Sequence, residues 1–340
     1  MTTTANHPRP DTQTGSKTMH AIVQESFGAP DRSLAYRVID TPAISEDEVL
    51  VRVHAAGAAI GDWLTTMGLP YIARPQYGLR RPKHRVGGFE VAGVIEAVGA
   101  NVTEFEPGEE VFGWGNGSFA EFVALPAGQL VAKPSNVTLE QAAAVPISGL
   151  AAIEALRDTG RLQPGQHVLI LGASGAVGTF AVQIAKALGA EVTGVGSTRN
   201  IDLIRSIGAD HVIDYTREDA TDGSRRYDLI LDLAGNRSLS DLRQALTPQG
   251  TLVIVGGSGG PWSMGFGRTI RAAVVSPFIR QHLRPFISKP SKENLIALRE
   301  LIEAGAVTPV IDRTFPLSAT ADALQYLAER HTQGKSVITI

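Results

Sequence analysis

From His20 to about residue 135 the chain runs in short apolar stretches separated by turn residues. Glu48-Val-Leu-Val-Arg-Val-His54 alternates apolar and polar positions, the period of a half-buried strand. Val91-Ala-Gly-Val-Ile-Glu-Ala-Val98 has the pattern of a buried strand, Pro107-Gly108 is a turn ahead of another, and Phe119 to Leu125 is a further strand. This half predicts a compact, twisted all-β domain. The pattern changes near Thr138. Leu139 to Leu156 is Ala-rich and helical, with Pro146 as a break. After it, strands alternate with helices: strands at His167–Leu171, Glu191–Val195, Val212–Ile213, Leu229–Leu231 and Thr251–Val255. Between the first two, Val177, Phe180, Ala181, Ile184, Ala185 and Leu188 share one helical face that Gly189 ends; a second helix, marked by Ile201, Ile204 and Ile207, ends at Gly208. Such alternation predicts a parallel sheet covered by helices on both faces. Toward the C-terminus the pattern predicts a helix at Asn294–Ala304, a strand near Val310, a helix at Ala319–Arg330 and a last strand at Ser336–Ile340.

One connection in this second half carries chemistry. In Leu171-Gly-Ala-Ser-Gly-Ala-Val-Gly-Thr-Phe180 three glycines, Gly172, Gly175 and Gly178, stand at steps of three between the buried strand and the amphipathic helix. In that context the turn presents backbone N–H groups and the positive helix end to a pyrophosphate. Gly172 and Gly175 permit the sharp turn and the close approach, and Gly178 lets helix and strand pack. Ser174, Ala176 and Val177 complete the cradle. A site for NAD normally places an acid about 20 residues past the first glycine to bind the ribose 2′-hydroxyl. Here that region reads Val195-Gly-Ser-Thr-Arg-Asn200, without a carboxylate. Ser197 and Arg199 can hold a 2′-phosphate instead, with Tyr215 as a third partner, so NADPH is the expected cofactor.

Composition narrows the classes. At 340 residues two domains are expected, and 43% hydrophobic with 19% charged residues is ordinary for a globular protein. The formal charge of −3 gives no pull toward nucleic acid or an anionic membrane. No apolar run approaches the ~18 residues of a membrane span and no secretory signal is visible, so a cytoplasmic location is expected. The absence of cysteine excludes disulfides, thiolate zinc sites and a cysteine nucleophile. Residues 1–18 are polar and aperiodic and are expected to form a disordered extension, with Met19 opening the folded part.

Together these stretches resemble the medium-chain dehydrogenase/reductase superfamily, and within it the zinc-free quinone oxidoreductase-like branch. The resemblance runs from Met19 to Ile340. It rests on Gly87-Gly-Phe-Glu-Val-Ala-Gly93 with Val94-Ile-Glu-Ala-Val-Gly99, on Pro107-Gly-Glu-Glu-Val-Phe112 and Gly117-Ser-Phe-Ala-Glu-Phe122, and on Ala142-Ala-Ala-Val-Pro146. The glycine turn, Gly208-Ala-Asp-His-Val-Ile-Asp-Tyr215 and the tail Gly334-Lys-Ser-Val-Ile-Thr-Ile340 extend it. It implies an α/β chain with a GroES-like β domain, residues 19–140 and 308–340. Beside it stands a Rossmann domain with a doubly wound parallel sheet, residues 141–307, and the active site lies in the cleft between them.

Against that pattern the departures are informative. Phe89 stands where zinc relatives carry a metal-binding histidine, and Ala59-Ile-Gly-Asp-Trp63 offers no thiolate; His54 and His84 have no ligand spacing. Without a Lewis acid the expected acceptor is already electrophilic, a quinone or an α,β-unsaturated carbonyl, and no metal is expected. The resemblance implies that Asp62 and Trp63 line the substrate cleft with Phe89, that Tyr71 is a candidate proton donor or oxyanion partner beside Asp62, and that Val255, Gly256 and Gly257 lie beside the nicotinamide. Two other readings stay open: an enoyl-thioester reductase, which the basic run Leu79-Arg-Arg-Pro-Lys-His-Arg85 would favour, and a cofactor-binding regulatory protein without turnover. Zinc-free relatives imply a homodimer, with residues 261–290 as a candidate interface.

Overall fold

The structure, a computed structural model, describes residues 18–256, 266–329 and 332–340. Strands β1 (Thr18–Gln24) and β2 (Leu34–Asp40) pair antiparallel. Along β3 (Glu48–Ala58) Val49, Val51 and Val53 are buried while Arg52 and His54 are exposed, the alternation legible in the sequence. Its second half, Ala55-Ala-Gly-Ala58, is buried throughout and built of small residues because neighbours press on both faces. A Cβ on Gly57 would lie 2.5 Å from the Ala143 carbonyl and 2.5 Å from the Glu90 carboxylate. Around β3 assemble β4 (Glu90–Val98), β5 (Glu110–Trp114), β6 (Phe122–Pro126) and β7 (Leu130–Ala132).

The second sheet is parallel throughout. It comprises β8 (His167–Leu171), β9 (Glu191–Gly196), β10 (His211–Asp214), β11 (Tyr227–Asp232), β12 (Leu246–Ile254) and β13 (His282–Pro285), in the order β10-β9-β8-β11-β12-β13. This is the order of a doubly wound dinucleotide fold, whose order reverses at β8, beside the glycine turn. The chain then returns to the first sheet through β14 (Ile311–Pro316) and β15 (Lys335–Thr339), completing a seven-stranded order β14-β15-β3-β4-β5-β7 with β6 also on β3. The fold is thus α/β, a GroES-like part beside a Rossmann part.

Several expectations shift. The first half is not all-β: helix α1 (Ile60–Met67) interrupts it, started by Asp62 and stopped by Gly68 at φ 67°. The strand expected from Phe119 begins at Phe122, and Thr18, placed in the extension, already belongs to β1; residues 1–17 lie outside the described residues. Pro146 does break the Ala-rich helix, opening α2 (Pro146–Ile153), which runs on into a π-helical turn over Glu154–Thr159. No helix among the described residues is long and apolar enough to cross a membrane.

The two sheets share one core. Ala55, Ala92, Phe112 and Val337 of the first pack in the same cluster as Leu150 of α2, Val168 of the second, and Phe180 and Ile184 of the helix that follows it. Within this junction lies a fully buried ion pair, Lys335 of β15 with Glu90 of β4. Glu90 Oε1 also accepts the Ile147 N–H at 2.8 Å, and Lys335 Nζ donates to Ser148 Oγ at 3.3 Å. Two strands and helix α2 therefore meet on one pair of charges. Removing one partner would leave the other charge buried and uncompensated, which costs about 3–5 kcal/mol. Urea unfolding should show a loss of that size for Lys335→Met, and the Glu90→Gln/Lys335→Met double variant should recover most of it.

Candidate active site

Strand β8 runs into the glycine turn and then into helix α3 (Ala176–Ala187). Gly172 sits at φ 87°, a conformation that favours glycine, and the N–H groups of Gly172 and Ala173 both donate to the Val195 carbonyl of β9, at 3.2 and 3.0 Å. A Cβ on Gly178 would stand 2.2 Å from the Gly172 carbonyl, so Gly178 is set by helix–strand packing. Gly175 differs. A Cβ there would meet only that same carbonyl, at an ordinary 3.6 Å. Its missing side chain leaves open space at the helix start, where the N–H groups of Ala176, Val177 and Gly178 lack intrahelical partners and the helix dipole is positive. That is a cradle for a pyrophosphate.

The cradle is braced from parts of the chain that local sequence does not connect. Ser174, buried, accepts a hydrogen bond from Asn200 Nδ2 at 2.7 Å on its Oγ, and its carbonyl accepts the Gly334 N–H at 2.8 Å. Gln333 Nε2 donates to Asn200 Oδ1 at 2.7 Å and to the Arg199 carbonyl at 3.3 Å. Asn200, Gln333 and Gly334 are therefore site residues that sequence reasoning missed. Gly334 stood in a recognised tail motif, but no local signal pairs it with Ser174.

At the end of β9, Ser197 precedes a short turn of 3-10 helix, Thr198–Asn200, and its hydroxyl makes no capping bond. Arg199 is exposed and lies within electrostatic reach of Tyr326; Tyr215 is 55% exposed and donates its N–H to the Gly196 carbonyl at 3.1 Å. The structure adds a carboxylate here, Asp214, supplied by β10 rather than β9. It accepts from Thr198 Oγ1 at 2.5 Å and from the N–H and Oγ1 of Thr216 at 3.0 and 2.7 Å. Those hydroxyls hold its carboxyl below the usual carboxylate range.

In the GroES-like part, Asp62 is 2% exposed in the first turn of α1. Its Oδ2 accepts the Ala59 N–H at 2.8 Å and so caps the helix, while Oδ1 is buried without a hydrogen-bond partner. Burial pushes this carboxyl up to about 7; the Ala59 N–H opposes the shift, Glu90 adds to it, and Lys335 opposes it. Lys335 does not neutralise Asp62 because its charge is engaged by Glu90. Trp63 packs against the Ile22, Phe119 and Leu324 cluster, and Phe89 is half-buried with its carbonyl accepting from Gly115. Tyr71 is 38% exposed, its ring stacked 4.8 Å from the Arg74 guanidinium, which lies 5.0 Å from Phe27 on another side. Val255 and Gly256 both donate to the Asp232 carbonyl, at 3.1 and 2.9 Å, and a Cβ on Gly256 would meet the Leu233 carbonyl at 2.0 Å. Gly256 is thus required by backbone packing. Gly257 lies outside the described residues, as do 261–265 of the proposed interface. The basic run of residues 79–85 is exposed at Arg85, which pairs with Glu25 at 2.9 Å. No group of three or more His, Asp or Glu among the described residues is arranged to hold a metal ion.

The two glycines separate packing from binding. Gly178→Ala should lose about 1–3 kcal/mol of stability through overpacking. Gly175→Ala should lose no more than about 1 kcal/mol, yet weaken dinucleotide binding in a fluorescence titration by a larger factor than its stability loss implies.

Comparison with known proteins agrees with this architecture. Residues 45–135 match the family described as alcohol dehydrogenase GroES-like domain, and residues 207–338 the family described as zinc-binding dehydrogenase. The chloroplast envelope quinone oxidoreductase homolog of Arabidopsis thaliana is 30% identical over 336 residues, covering 95% of this chain and 98% of that protein. The NADPH-dependent alkenal/one oxidoreductase of the same plant, a chloroplastic protein, is 31% identical over 340 residues, 95% of this chain and 80% of its own. The solved quinone oxidoreductase of Coxiella burnetii superposes with a TM-score of 0.82 at 26% identity, over 95% of this chain and 100% of that one. The chain belongs to the medium-chain dehydrogenase/reductase superfamily, in its quinone oxidoreductase-like branch, and is an oxidoreductase that uses a nicotinamide dinucleotide.

Proposed function

We propose that the protein is an NADPH-dependent reductase of quinones or α,β-unsaturated carbonyls that works without a metal ion, from a cleft between residues 19–140 with 308–340 and residues 141–307. The observation that carries the reading is Asp62, a buried carboxyl near neutrality with one oxygen unengaged. A reduced nicotinamide supplies a hydride, and reduction of such an acceptor also needs a proton. With its carboxyl pushed up to about 7, Asp62 keeps a proton on about half of the molecules at neutral pH, and the Ala59 N–H fixes its other oxygen so that Oδ1 is the acid. Tyr71, held by Arg74, is the candidate that binds the acceptor oxygen at the cleft edge. Trp63 and Phe89 supply apolar walls suited to an unsaturated ring or chain.

The dinucleotide is held by Gly172, Ser174, Gly175, Ala176, Val177 and Gly178 at the pyrophosphate and by Val255 and Gly256 at the nicotinamide. Preference for NADPH follows from the adenosine end. Strand β9 ends without an acid, and Asp214 is already saturated by Thr198 and Thr216. The Ser197 hydroxyl is not spent on capping, and Arg199 and Tyr215 reach the surface beside it. The lack of cysteine, and Phe89 where zinc relatives carry a metal-binding histidine, support metal independence. The relatives named for quinone and for alkenal/one substrates support the acceptor class. We further place the protein in the cytoplasm as a homodimer.

Steady-state kinetics test this on a panel of quinones and enones. NADPH should be preferred over NADH, and Arg199→Glu should lower kcat/KM for NADPH by about 10–100-fold, the value of a charged hydrogen bond, with little change for NADH. Exhaustive treatment with chelator should leave the rate unchanged; loss of activity restored by a divalent metal contradicts the metal-free reading. Because Asp62 is protonated below its raised pKa, kcat should fall as pH rises through about 7, and Asp62→Asn should be slow and lack that inflection. A pH profile shared by wild type and Asp62→Asn assigns the proton elsewhere.

A further inference from the structure

At the end of the parallel sheet opposite the glycine turn, the N-terminal ends of β8, β11 and β13 and the loop inside β12 enclose a cavity of about 390 Å³. It is lined by Arg161, Arg284, His282, Gln166, Gln249 and Thr251, with Asp228 and Thr247 at its wall. Nothing in the proposed reduction uses it. Its lining is polar and its charge unbalanced. Asp228, the acid among the lining residues, is occupied: one carboxylate oxygen accepts the His167 N–H at 3.0 Å and the other accepts from Thr247 Oγ1 at 3.3 Å.

The two arginines are arranged against their own electrostatics. Arg284 donates from Nη1 to the Thr159 carbonyl. Burial, and then the charge of Arg161, both disfavour its cationic form. The guanidinium of Arg161 makes no hydrogen bond or ion pair with any described residue. Arg161 is also, among the described residues, the one non-glycine residue at positive φ, 54°, in the left-handed region. That left-handed residue ends the preceding helical turn, with the Leu162 N–H donating back to the Leu156 carbonyl at 3.0 Å, and Arg161 lines the cavity from there.

We propose that this cavity binds a phosphate dianion, free or as the end group of a small polar ester, between the guanidinium groups of Arg161 and Arg284. Two guanidinium forks suit the oxygens of one phosphate, and the anion removes the repulsion between them. Gln166, Gln249 and Thr251 offer amide and hydroxyl groups to the remainder of an ester. The site is remote from the dinucleotide turn and stands whether or not the acceptor reading above is right.

Isothermal titration in a chloride buffer, with excess NADP⁺ to fill the dinucleotide turn, tests it with inorganic phosphate and, separately, ribose 5-phosphate. Wild type should give a saturable one-to-one isotherm, and Arg161→Gly and Arg284→Gln should each weaken it by about tenfold or more. Tighter binding of the sugar phosphate identifies an ester site, and equal affinities a phosphate site; both support the proposal. Glycine accepts the 54° φ without strain, so Arg161→Gly should melt at or above wild type without phosphate. No saturable binding by wild type, or undiminished binding by Arg161→Gly, overturns the proposal.

Discussion

Two opposite charges sealed from water, Lys335 and Glu90, set the terms for the rest of the molecule. Neither can stay buried alone, so β15 and β4 have to meet at the junction. Once Lys335 is there, the residue before it, Gly334, lies on Ser174, and Gln333 lies on Asn200. The last strand of the chain thereby closes the pyrophosphate turn. The same pair shapes the acid. Lys335 is spent on Glu90, leaving Asp62 buried next to a mutually neutralised couple, and burial then dominates its titration.

The cofactor cradle and the acid are thus two consequences of one junction between the sheets. The Rossmann part supplies orphan helix N–H groups and an open space at Gly175; the GroES-like part supplies Asp62, Phe89 and the stacked Tyr71. The shared core, continuous from Phe112 to Phe180, holds them rigidly enough that the position of a single carboxyl oxygen is meaningful.

Much of this was legible in the residues. Periodicity placed β3, β4, β8, β9 and α3, because buried strands and one-faced helices write themselves into local sequence. The glycine turn was legible for the same reason: Gly172 answers a local backbone demand and Gly178 a contact six residues away. What escaped depends on distance along the chain. Asp214 reaches Thr198 only because β10 lies beside β9, and Gln333 and Asn200 are separated by more than a hundred residues. Lys335 reads as an ordinary lysine until its partner is seen. Strand β13 carries one buried apolar residue, Leu283, too little for any period to show. Helix α1 was hidden in an expected β region because its cap is reversed: Asp62 reaches back to Ala59, where a polar residue would ordinarily cap forward.

The central claim is that this junction leaves Asp62 uncharged near neutrality. A ¹³C NMR titration of the aspartate carboxyls, with Asp62 assigned by its absence from Asp62→Asn, reads this directly. The account predicts that the Asp62 resonance titrates at about 7. Titration near the ordinary aspartate value of about 4 would contradict it.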